Sequence, residues 1–144
     1  AMVGAFIVWM LYKDHFNETS DQATILACFS TGPAIRNLPQ NFIVETFASF
    51  VFMLSIFYIQ PASVEMGALG ALPVALLVAG IGFGLGGPTG WAINPARDLG
   101  PRIMHNLLPI NRKGASDWGY SLVPVLGPIV GGILASIIYL HFLQ

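Results

Sequence analysis

Residues 86–102, GGPTGWAINPARDLGPR, lie between two apolar runs that each read as membrane spans, and no other stretch constrains the chain as much. Asn94 is a strong helix N-cap, and Pro95 follows at the first helical position, where a missing N–H costs nothing. A helix is therefore expected from Asn94. The positions before it, Gly86, Gly87, Pro88, Thr89, Gly90 and Trp91, read as extended loop, with glycines available for backbone angles that other residues avoid. A loop feeding a helix between two spans, with Arg97 in its first turn, is unusual membrane sequence. Irregular backbone persists at membrane depth only where protein buries it or a water-filled cavity lies beside it. On these residues alone, a surface loop with an ordinary cap is an equally good reading.

Composition identifies the solvent. Apolar residues make up 55% of the chain and charged residues 9%, whereas a soluble domain carries about 25% charge. A formal charge of −1 offers no basic field, so no nucleic-acid partner is expected. Cys28 is the single cysteine, which excludes an intramolecular disulfide and a cysteine metal cluster. The sequence contains no Ser/His/Asp set, metal-ligand spacing, phosphate loop or intramembrane acid pair, and so no catalytic residue, metal or cofactor is assigned.

Residues 1–12 are apolar but fall short of the roughly 20 residues a span needs, and read as the tail of one. Residues 13–40 form a polar, irregular loop. Residues 41–60 are a span with one charge, Glu45, about one turn in. A carboxylate at that depth faces protein or water rather than lipid, either buried or hydrated near the interface. Residues 67–85 are a second span, whose Gly70, Gly80, Gly82 and Gly84 suit close helix packing. The helix from Asn94 to near Leu107 is half-length, about 21 Å, and too short to cross. Asp98 in its first turn suits the helix dipole, and His105 reads as a polar residue at its far end. Residues 119–142 are the last span, with Gly127, Gly131 and Gly132 forming a small-residue face for packing within the bundle or between subunits.

Asn94-Pro95-Ala96-Arg97-Asp98 resembles the second Asn-Pro-Ala signature of the aquaporin, or major intrinsic protein, family, and more narrowly its glycerol-facilitator (aquaglyceroporin) branch. In that branch the arginine is followed by aspartate and, four residues later, by a basic residue, here Asp98 and Arg102. Pro124-Val125 is similar to a proline–aliphatic pair in the branch's last helix. The match is to the second half of the family's fold, because a complete member carries two such motifs. The resemblance implies an all-α membrane protein: half of an aquaporin-like right-handed helical bundle, with a re-entrant half-helix between two spans. It further implies an extracellular loop over 13–40, a multi-pass position in a bacterial plasma membrane, a homotetramer with one pore per complete subunit, and a need for the first half of the fold. The implied activity is passive diffusion of glycerol, similar small uncharged solutes and water, with ions and protons excluded, and no enzymatic step.

The same resemblance supplies site residues. Gly82, fifteen residues before Arg97, and Trp91, six before it, match the constriction together with Arg97 itself. Gly82 is expected to leave room for a solute bulkier than water. The carbonyls of Gly87, Pro88, Thr89 and Gly90 are expected to accept hydrogen bonds from the solute, and Asn94 of the Asn94-Pro95-Ala96 motif to donate its amide. Glu45 is expected to brace residues 86–91 from behind, and Asp98 and Arg102 to fix the half-helix against its neighbours. Two other readings stand beside this one: a facilitator for lactic acid, urea or dihydroxyacetone, and a truncated, non-conducting subunit that acts through assembly. All six Lys and Arg residues fall on the side the resemblance makes outer, the reverse of the positive-inside pattern. The family orientation is retained because Arg97 and Arg102 belong to the re-entrant element.

Overall fold

Two long helices form the centre of the computed structural model, which describes residues 1–59 and 67–142. α4 (Leu38–Ile59) and α7 (Leu122–Phe142) have 22 and 21 residues and are long and apolar enough to cross a membrane. In chain order the other helices are α1 (Met2–Leu11), α2 (Lys13–Glu18), α3 (Gln22–Ala27), α5 (Leu72–Leu85) and α6 (Pro95–Leu107), and the described residues contain no strand. α4 and α7 approach closely because α7 has no side chain where the α4 backbone passes. A Cβ on Gly127 would lie 2.8 Å from Glu45 Cβ; one on Gly131 would lie 2.8 Å from Phe50 N and press on Thr46 O. Close backbone approach of this kind holds helices together in lipid, where apolar burial gives no net drive. Gly127 and Gly131 thus pack within the bundle, while Gly132 meets only Met53 Cγ at 3.8 Å. Gly131→Ala is accordingly expected to destabilise the fold by about 1–3 kcal/mol through overpacking. Gly132→Ala should leave thermal unfolding in detergent unchanged.

Three expected boundaries move. The span over 67–85 is a helix of only 14 residues, Leu72–Leu85, after a separate 3-10 turn at Gly67–Leu69. Pro73, in the first turn, suits a helix start because it has no N–H to leave unpaired. The last span begins at Leu122 rather than residue 119, and the span expected over 41–60 begins at Leu38, with Gln60 outside the described residues. Residues 13–40 are not an irregular loop throughout, since they hold α2 and α3. Asp21 caps α3 by accepting from Ala23 N at 3.3 Å and Thr24 N at 3.1 Å. Phe16 of α2, Ile25 of α3 and Phe29 bury themselves against Leu108 and Ile110, so this segment has a small apolar core of its own.

Candidate functional site

α6 starts where the cap signal puts it. Asn94 is in extended backbone, and its Oδ1 accepts from Ala96 N at 2.9 Å. Its 13 residues span about 20 Å. The level of its tip follows from its contacts. The loop just before Asn94 bonds Glu45 of α4, and Phe52 and Met53 of α4 line a cleft with Ile93, Asn94 and Pro95. Those α4 positions lie roughly 10 to 22 Å along a helix about 33 Å long. The body of α6 instead bonds Thr31 and residues 116–117, just ahead of the starts of α4 and α7. α6 therefore runs between one end of the long helices and their mid-level, and stops there.

The side of α6 facing the protein is ionic. Asp98, Arg102 and His105, spaced i, i+4 and i+7, are each 0% exposed. Arg102 uses all five of its N–H donors: Nε and one Nη on Asp98 at 2.8 Å each, and the rest on Thr31 O, Ser116 O and Asp117 O at 2.7–2.9 Å. Asp98 also accepts from Thr31 N at 2.8 Å and Thr31 Oγ1 at 2.6 Å. A buried pair is tolerable only when its remaining hydrogen bonds are met, and here they are. His105 is in the last turn of α6 as expected, and it is sealed in, with Nδ1 2.8 Å from Ser116 Oγ and its ring edge-on to Phe29. Lys113 closes the far end of α6 by donating to His105 O, Asn106 O and Leu108 O at 2.6–2.8 Å.

The approach loop is strained and held. Trp91 and Ile93 have φ of +39° and +43°, left-handed values that are costly for a bulky or β-branched residue. Glu45, 1% exposed, accepts from Ala92 N and Ile93 N, each at 2.9 Å. It thus grips residues 92 and 93, not the 86–91 stretch expected, because the turn at 86–90 folds back on itself and onto Ala34. Gly90 N bonds Gly86 O at 2.8 Å, and Pro88 O accepts from Ala34 N at 3.0 Å. Pro88 is therefore not a free acceptor, and Thr89, 1% exposed, is buried. Among the described residues, no donor reaches the carbonyls of Gly87, Gly90, Trp91, Ala92 or Ile93. Of the expected acceptors, Gly87 and Gly90 thus keep unused carbonyls, and Trp91 and Ile93 add two more toward Asn94, while Ala92, 0% exposed, is buried.

On the side of α6 away from the ion pair, Arg97 is exposed and has no hydrogen-bond or ion-pair partner among the described residues. Its Cζ lies 5.9 Å from the centre of the Trp91 ring. The Trp91 indole lies against Gly82, with Cε2 3.2 Å from where a Gly82 Cβ would stand, and both residues line a groove of about 640 Å³. The structure thus brings Gly82, Trp91 and Arg97 together, with Asn94, Pro95 and Ala96 at the helix tip and Glu45, Asp98 and Arg102 behind. A solute here would meet a guanidinium fork, an aromatic face and bare carbonyls. Sequence reasoning missed Thr31, Ser116 and Lys113; Thr31 pairs with a residue 67 positions away, which no local signal announces.

A sequence profile of the major intrinsic protein family matches residues 1–139. The chain is 46% identical over 142 residues to the glycerol uptake facilitator protein of Streptococcus pneumoniae, covering 99% of this chain and 60% of that relative. It is 49% identical over 141 residues to the D/L-lactic acid transporter of Lactiplantibacillus plantarum, covering 94% and 58%. In fold it is similar to the X-ray structure of the aquaglyceroporin from Plasmodium falciparum, with a TM-score of 0.82, 26% identity, and coverage of 98% and 59%. The chain spans about 60% of the length of these relatives. Motif, helical architecture and profile agree, and the chain belongs to the major intrinsic protein family.

Proposed function

We propose that this protein, at its natural length, is a passive channel for glycerol and similar small uncharged solutes, including water. One contrast supports the reading above all. Arg102 spends every donor inside the protein, while Arg97, on the same half-helix, keeps its fork exposed beside an aromatic ring, one turn past a loop with unbonded carbonyls. A polyol file needs that combination: donors and acceptors for its hydroxyl edge, and an apolar face for its carbons. Arg97 and the positive end of the α6 dipole repel cations and protons at the same place. The Nδ2 of Asn94 is left to donate, since the cap holds its Oδ1.

The cleft of about 590 Å³ beneath Asn94, between α4 and α7, is where the tip of a second half-helix would sit. We therefore read the first half of the fold as a required partner, a homotetramer in the cell membrane as the assembly, and residues 13–40 as the outer side. The 49% identity to a lactic acid transporter favours one second reading, permeation of an undissociated hydroxy acid, which Arg97 can also bind. Proteoliposomes carrying the natural-length protein separate these. Glycerol uptake should exceed lactic acid uptake, and Arg97→Val should lower glycerol permeability about tenfold or more, the worth of a charged hydrogen bond. An unchanged rate with Arg97 replaced refutes the assignment; preferential lactic acid uptake selects the second reading.

A further inference from the structure

We propose that Gly86 is a positioning residue for the constriction: its missing side chain seats the Trp91 indole against the end of α5 and so sets the gap between that ring and Arg97. This rests on the channel reading above. Gly86 is buried and follows α5 directly, one turn after Gly82. The nearest atoms to a Cβ on Gly82 would all be of the indole, with Cε2 at 3.2 Å, Cζ2 at 3.4 Å and Nε1 at 3.5 Å. A Cβ on Gly86 would overlap Cε3 and lie 3.0 Å from Cζ3, and it would also press on Gly82 O. The two glycines touch opposite edges of one bicycle. Together they form a two-point seat.

The seat matters because the backbone under Trp91 has little freedom to retreat. Trp91 is at φ +39°, and the next two N–H groups are both held by Glu45. Ordinary carbon contacts are about 3.5–4.0 Å, so a methyl at 86 displaces the ring. The ring borders a groove of about 640 Å³ shared with Ala75, Val78, Ala79 and Gly82, and Arg97 Cζ is 5.9 Å from its centre. Displacement therefore changes the width available to a solute, and hits a polyol harder than it hits water.

The test is a double-mutant cycle on the natural-length protein in liposomes: wild type, Gly86→Ala, Trp91→Ala and the double variant, with glycerol and water permeability read separately. Gly86→Ala is expected to lower the glycerol-to-water ratio about tenfold, the effect of about one methylene in a fitted site. In the Trp91→Ala background the same change should leave the ratio within about twofold. A wild-type ratio for Gly86→Ala overturns the proposal. So does an equal fall in both backgrounds, or failure of both Gly86→Ala proteins to insert, since Gly86 then serves the backbone through Gly82 O. A wild type that passes no glycerol overturns the channel reading itself, and this proposal with it.

Discussion

Arg102→Met is expected to destabilise the folded protein by about 3–5 kcal/mol, the cost of leaving a buried charge without its partner. Asp98 and Arg102 are both 0% exposed and bonded to each other at 2.8 Å. Methionine fills similar space but strands the Asp98 carboxylate and orphans three carbonyls, Thr31 O, Ser116 O and Asp117 O. Arg102→Lys should recover only part, since an ammonium has three donors and no fork. The pair also ties α6 to the segments around Thr31 and Ser116–Asp117, so the loss should appear as exposed segments as well as a lower midpoint. Denaturant unfolding in detergent and proteolysis of residues 28–36 and 109–121 would register both. The variant Asp98→Leu/Arg102→Met should be less damaged than Arg102→Met alone, because it leaves no buried charge. A single variant as stable as wild type would remove the ion pair from the explanation of how the half-helix is fixed.

Glu45→Gln is expected to bring glycerol permeation down to background in protein that still inserts. The carboxylate offers one oxygen to Ala92 N and the other to Ile93 N. An amide keeps one acceptor and turns an NH₂ toward the second N–H, so a hydrogen bond becomes a donor–donor contact. That loss costs roughly 1–3 kcal/mol. It falls on a loop already carrying two left-handed, non-glycine residues at about 1–3 kcal/mol each. Once released, Trp91 and Ile93 relax to ordinary angles. The aromatic face, the free carbonyls and Arg97 then lose their common geometry. Full permeation by the glutamine variant, with unchanged thermal stability, would mean that the loop holds its shape without the brace.

These two sites were legible in the sequence to different depths. Glu45 stood out as the one carboxylate inside an apolar run, though only the family resemblance gave it the approach loop as partner, and Asn94-Pro95 marked the helix start by local chemistry. Which N–H groups Glu45 meets was not legible, because the fold-back between Gly86 and Gly90 shifts the target to residues 92 and 93. Asp98 and Arg102 were visible as an i, i+4 pair. Thr31, Ser116 and Asp117 were not, since their contacts form only when segments remote in sequence meet. Asp21 did carry a cap signal for α3, and the polar composition of 13–40 hid it. Gly82 was singled out as space, but which neighbour borders that space was not legible, and the Trp91 indole proves to lie against it. The two long helices came through best, because their length and apolar composition need no particular contact, whereas the span expected over 67–85 proves to be a helix of 14 residues.

In the proposed channel the tip of α6 and its approach loop form one wall of a conduit for neutral solutes. Stopped-flow light scattering on liposomes bearing the natural-length protein, under an inward glycerol gradient, tests it most directly. Reswelling should be at least about tenfold faster than in protein-free vesicles, a barrier lower by about 1.4 kcal/mol or more, with no accompanying proton leak. Reswelling at the protein-free rate, from protein shown to be folded and inserted, would contradict it.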